Sequence, residues 1–203
     1  MSNDLIGGLL DALGPRAMKN LANPIGSEPD QVHAAVQAAL PILLGALARN
    51  AQDPDGAVAL HDAIEQDHSK LDIADVLGSV SAGGGDGEAI LRHVLGSRQS
   101  AAAEGVSQFA GIGRGQALQL LKMLAPLVLS YLARRSRGGG MSPQGLGALL
   151  GQQSQQLEAQ GGVGGRLMNA VLDRDGDGDV DFTDILGAAG ALGRGGGSLG
   201  SRL

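Results

Sequence analysis

The chain has no cysteine and no tryptophan in 203 residues, and its only aromatic side chains are Phe109, Tyr131 and Phe182. Without thiols there are no disulfides, no thiol nucleophile and no cysteine-ligated zinc or iron–sulfur centre. With so few rings, the core has to be built from leucine, alanine, valine and isoleucine. Cationic surface is scarce as well: the net charge is −6, and the stretch from Asp173 to Asp184, with six aspartates and one arginine, carries −5 of it. The remainder is close to neutral, which leaves no basic face for nucleic acid and no Lys/Arg cluster for an anionic membrane. No lysine-rich opening followed by an apolar stretch and a cleavage site is present, so no signal peptide is expected and the cytoplasm is the default location. The run from Ala117 to Ala133 is short for a span of about 20 residues and contains Lys122 and Pro126, which reads as a buried helix and not as a membrane span.

What is present is helical. The longest apolar run, Gln116 to Arg135, has Pro126 in its middle and is expected to be the central core helix. Upstream, Pro41, Leu44, Leu47, Ala48 and Arg49 repeat the skeleton of Pro126, Leu129, Leu132, Ala133 and Arg134, each 85 positions earlier. The match predicts an all-α, multihelical bundle of two degenerate half-repeats, residues 1–82 and 86–160, followed by an EF-hand-like segment at 166–192 and a glycine-rich tail at 193–203. Thirty-five glycines, several inside helical patterns (Gly7, Gly8, Gly45), predict modest stability and closely approaching helices, since each costs roughly 1 kcal/mol against alanine.

Turn and cap signals place the elements. A first helix runs to Leu13 and ends at Gly14-Pro15; a short one follows to Ala22, stopped by Asn23-Pro24. Ser27 with Asp30 resembles a capping box for a helix from Glu28 to Asn50, which Pro41 should kink. Asp53-Pro54 opens a helix to about Gln66, and Ser142-Pro143 opens its counterpart to Ala159. Leu71 to Gly78 reads as a short helix. After the linker Gly83 to Gly85 come helices over 87–95 and 97–110, a turn at Gly111-Ile112-Gly113, and the central helix. Gly161-Gly162 and Gly164-Gly165 read as linkers.

The run Gly84-Gly85-Asp86-Gly87-Glu88-Ala89-Ile90-Leu91-Arg92-His93-Val94-Leu95-Gly96, followed by Leu120-Leu121-Lys122-Met123-Leu124-Ala125-Pro126-Leu127-Val128-Leu129, resembles the bacterial domain-of-unknown-function family typified by YidB. The resemblance covers roughly Asp53 to Arg135. It implies an all-helical bundle and carries over no activity and no catalytic residue.

One stretch has the spacing of a metal site. In Asp173-Arg174-Asp175-Gly176-Asp177-Gly178-Asp179-Val180-Asp181-Phe182-Thr183-Asp184, Asp173, Asp175 and Asp177 stand at positions one, three and five of an EF-hand loop. Gly178 is at the sixth place, where the chain turns sharply; Asp179 offers its carbonyl at seven, Asp181 binds through water at nine, and Asp184 stands at twelve in place of the usual glutamate. An aspartate there resembles dockerin-type loops. Hard oxygen donors in this number predict calcium, with magnesium as competitor. Leu71-Asp72-Ile73-Ala74-Asp75-Val76-Leu77-Gly78 matches Val180 to Gly187 place for place, which predicts a worn second loop without metal whose Leu71 neighbours Val180.

A second constellation, His61, Glu65 and His68, falls on one helical face, but the corresponding stretch of the second half, Ala148 to Gln156, supplies glutamines where a di-iron site needs carboxylates. His33 and His93 read as core or interface histidines. The function expected is a calcium-binding helical interaction or structural module, not an enzyme, with a protein, a second copy included, as partner. The alternatives are a metal-dependent enzyme using the His61 face and a self-assembling helical protein.

Overall fold

Helix α1 (Leu5–Ile25) bends at Gly14, whose φ of 61° and ψ of 178° leave the helical region. Only glycine takes that conformation without strain, and Pro15 restarts the helix with its fixed φ. The second part then runs through Pro24 to Ile25, beyond the Asn23-Pro24 stop read from the sequence, and ends at Gly26 with φ 67°. In this computed structural model residues 5–66, 78, 86–160 and 162–172 are described, and they belong to one unit that ends at Leu172. Among them every regular element is helical. After α1 come α2 (Pro29–Asn50), α3 (Pro54–Gln66), α4 (Gly87–Leu95), a 3-10 turn (Gly96–Arg98), α5 (Gln99–Ala110), α6 (Arg114–Gly139), α7 (Pro143–Gln160) and α8 (Val163–Leu172).

The centre of the bundle is α2, not the longer apolar α6. It packs against α8, α5, α7 and α6 most extensively, and against α1, α4 and α3 at its ends. Every residue from Ala38 to Ala48 is buried, Pro41 and Gly45 included, so the helix is covered all round in its middle. In α6 the same holds from Met123 to Ser130. Run length alone ranks α6 first, but a helix becomes central by the number of neighbours its small side chains admit, and α2 has four alanines and a glycine between Ala38 and Ala48. Both helices are long and apolar enough to cross a membrane by length and composition, and 78% and 72% of their most apolar windows are buried in the bundle. Burial on this scale is what a helix apolar on all sides requires of the core of a folded chain.

The entries into α2 and α6 are built alike. The N-cap of α2 is Glu28, one place after the serine that the sequence suggested, with Pro29 in the first turn, and Gln31 at N3 accepts the Glu28 N–H on its Oε1 at 3.3 Å. Eighty-five positions on, Gln116 accepts the Gly113 N–H at 2.7 Å. Each glutamine also reaches across the bundle: Gln31 Nε2 donates to the Gly111 carbonyl at 3.1 Å, and Gln116 Nε2 donates to the Ile25 carbonyl at 2.8 Å. Gly26 and Gly111, also 85 apart, end the preceding helices in left-handed conformations with φ 67° and 65°. One side chain thus satisfies an orphan donor at one helix start and an orphan acceptor at another helix end.

Of the glycines expected as linkers, Gly164 and Gly165 are helical. Gly164 and Gly165 lie inside α8 because the helix presses on its neighbours there: a Cβ on Gly164 would sit 2.8 Å from Pro41 Cγ, and one on Gly165 would meet the Leu157 carbonyl. Gly87 makes the corresponding approach of α4 to α6, against the backbone carbonyl of Lys122. Pro126 has no N–H to give that carbonyl, so α4 closes over the one gap that the proline opens in the ladder of α6.

Candidate functional site

A cleft of about 750 Å³ opens between α3 and α4, with Leu47 of α2 and Leu129 of α6 in its floor. Asn50 brings its walls together: its Nδ2 donates to the Val94 carbonyl at 3.3 Å, tying the end of α4 to the end of α2, from which α3 departs. Asp53 then starts α3, its Oδ1 accepting the Asp55 N–H at 3.1 Å. Gly56, on the cleft side, is held against the Asn50 carbonyl so closely that a Cβ would collide with it. One wall is the stripe Gly56, Ala59, Leu60 and Ala63; the other is Ala89, Ile90, His93 and Val94. Their spacings are those of helix faces, and the small residues keep the cleft open. Charged groups stand at its rim, with Asp53 and Arg49 near one end and Asp86 at the start of α4. Beside it, Lys122 Nζ lies 3.0 Å from Glu88 Oε2 and holds the Glu88 carboxyl below its ordinary range, by hydrogen bonding first and by charge second.

Among the described residues, those that line it include no serine, threonine, cysteine, lysine or tyrosine. Such a surface, apolar with a few charges at its edge, has the composition of a ligand-binding cleft. The sequence reading missed it. The signal was there in Gly56, Ala59 and Ala63 facing Ala89, but small residues at helical spacing look the same in any tightly packed helix pair.

Of the constellation His61, Glu65 and His68, the structure places His61 on α3, half-buried, with Nε2 3.1 Å from the Met141 carbonyl. A carbonyl only accepts, so Nε2 carries the proton in this contact and, in the neutral ring, Nδ1 holds the lone pair. The Glu65 side chain and His68 lie outside what is described. His33 and His93 are exposed, so neither is a core residue; His33 Nε2 pairs with Gln37 Nε2 at 3.0 Å, within α2. Among the described residues no three His, Asp or Glu side chains converge as a metal site. The six loop aspartates, Asp173, Asp175, Asp177, Asp179, Asp181 and Asp184, lie outside the described residues, as do Leu71 and Val180.

The glutamines of α7, which stand where a di-iron site would need carboxylates, have a structural use. Gln153, 4% exposed, accepts the Leu5 N–H on Oε1 at 3.0 Å and so caps α1 from the opposite end of the sequence.

An all-helical bundle wrapped around a proline-containing core helix is the class that this architecture defines. The chain belongs to the family of bacterial proteins of unknown function DUF937, whose pattern matches residues 8–135, more than half of the sequence. The match begins in α1 and ends inside α6, so it takes in both glutamine-capped core helices and both walls of the cleft. No curated protein and no solved structure matches the chain.

Proposed function

We propose that this protein is a calcium-binding helical interaction module without catalytic activity, of the YidB-typified kind, made of two degenerate half-repeats and working in the cytoplasm with a protein partner, a second copy included. The observation that carries the reading is the donor pattern of residues 173–184: oxygen ligands at positions one, three, five, seven, nine and twelve, with glycine at six. Six carboxylates so close together repel one another unless a cation joins them. The half-repeats draw support from the paired entries of α2 and α6, where glutamines 85 positions apart make the same two kinds of hydrogen bond. The cleft between α3 and α4 supports binding as the activity.

Titration calorimetry on the full chain is expected to show one calcium ion bound, with an affinity as weak as about 10⁻⁴ M because Asp184 reaches less far than glutamate. The Asp173→Ala/Asp177→Ala double variant loses the heat, and magnesium competes only at higher concentration. Unchanged heat in the double variant overturns the site. Stoichiometric iron or zinc in the purified protein would overturn the non-enzymatic reading in favour of the His61 face. Crosslinking in the native cell with and without calcium then identifies the partner, and light scattering shows whether a second copy is one.

A further inference from the structure

We infer that the cleft between α3 and α4 is a docking groove for one amphipathic helix of a partner protein, a helix with an apolar stripe flanked by lysine or arginine. The inference rests on the interaction-module reading above and names its surface and the kind of partner; it does not depend on calcium, since every lining residue precedes Asp173. The Asn50–Val94 bond puts the start of α3 beside the end of α4, and Asp86 opens α4 at the other end, so the two walls run in opposite senses. Between them apolar positions face solvent: Ala59 and Ala89 are exposed and Ile90 is half-buried, above the buried Leu47 and Leu129. Gly56 to Ala63 spans seven residues of α3, about 10.5 Å, which is also the distance from i to i+7 of an incoming helix. Side chains at i, i+3 or i+4, and i+7 of that helix enter the groove together, and the small Gly56, Ala59, Ala63 and Ala89 let its backbone come close. Helical walls pair their amides internally, so the groove offers no edge to an added strand. Charge selects the sign of the partner. Asp53 stands at one end and Asp86 at the other, while α3 (Pro54–Gln66) has no lysine or arginine and exposes Asp55 and Asp62. Against these four carboxylates the lining carries Arg49 and His93, and the nearby Lys122 is paired with Glu88. A rim of this sign steers a basic helix in and repels an acidic one.

The test uses the full chain in EDTA and, as probe, a labelled synthetic peptide of about 18 residues, long enough to hold a helix, with leucine at the a and d positions of a heptad and alanine and lysine elsewhere. Fluorescence anisotropy is expected to show saturable one-to-one binding that weakens as salt is raised. The same residues in shuffled order, which form no apolar stripe, and the peptide with glutamate in place of lysine bind at least about 10-fold more weakly. Ala59→Trp and Ala89→Trp, both at exposed positions, fill the groove and cut the affinity at least about 10-fold, while Ala12→Trp, exposed on α1, leaves it unchanged. The Asp55→Lys/Asp62→Lys variant loses affinity and salt dependence together. Absence of saturable binding, or equal binding of the shuffled peptide, overturns the inference. So does unchanged affinity in tryptophan variants that melt like the wild type; should neither fold, the peptide comparisons and the charge-reversal variant decide. A dimer in light scattering that Ala59→Trp disrupts, with no peptide bound, assigns the groove to a second copy instead. Because EDTA removes calcium, a missing calcium heat would overturn the loop and leave this result standing, whereas calcium heat without peptide binding would overturn the groove alone.

Discussion

Ser130 sits in the middle of α6, fully buried, and its hydroxyl finds no hydrogen-bond partner. A buried hydroxyl left unpaired costs about 1–3 kcal/mol, so Ser130→Ala is expected to raise stability by about 1 kcal/mol, visible as a higher urea midpoint with an unchanged slope. A lower midpoint would mean that the hydroxyl has a partner that the geometry conceals. Two glycines make a matched pair at the same scale. Gly87 meets the Lys122 backbone, which cannot yield as a side chain could, and Gly87→Ala is expected to cost about 1–3 kcal/mol. Gly115, in the first turn of α6, has nothing within 4 Å of a built Cβ, and Gly115→Ala is expected to gain about 0.5–1 kcal/mol by restricting the unfolded chain. Opposite signs from one chemical change, measured in parallel denaturation curves, check the close approach of α4 to α6. The sequence shows Gly87 inside a glycine cluster but not the carbonyl it meets, because that carbonyl belongs to a residue 35 positions away.

At the level of the element, the two glutamine-capped entries differ in strength. Gln116 makes contacts of 2.7 and 2.8 Å, the second partly buried, whereas those of Gln31 are 3.3 and 3.1 Å and exposed. Gln116→Ala is therefore expected to destabilise by about 1–1.5 kcal/mol and Gln31→Ala by about 0.5 kcal/mol, from the net worth of hydrogen bonds in each setting. Chemical denaturation of the two variants checks the order; equal losses would show that capping alone matters and the cross-bundle bonds do not. Helix positions were largely legible beforehand, since Pro29, Pro54, Pro143 and the turn at Gly111 mark starts and stops by local sterics. What misled was also glycine. Gly164-Gly165 read as a linker but lies in a helix, because a glycine that breaks a lone helix is the residue needed where α8 touches Pro41. Likewise Pro24 marks a stop in isolation, yet α1 carries through it, and the Pro24 carbonyl accepts from Gln119 Nε2 at 3.3 Å. The cleft was illegible for a related reason: it is made by four elements, and no window of sequence contains its two walls.

For the whole molecule, the chain order of the neighbours of α2 matters. The helix is complete at Asn50, but α5, α7 and α8, three of the elements that cover it most, lie between residues 99 and 172. Packing so distant in sequence raises the contact order of a helical protein and slows its folding relative to bundles of adjacent helices. It also sets a schedule during synthesis. Chains grow at about 5–20 residues per second, so the Pro41 face of α2 waits on the order of 6–24 seconds between its own emergence and that of α8. For that interval an apolar helix long enough to cross a bilayer is exposed to the cell without its cover. Until α8 arrives a nascent chain carries that apolar face uncovered, and a message truncated before residue 163 would release a product with the surface still bare.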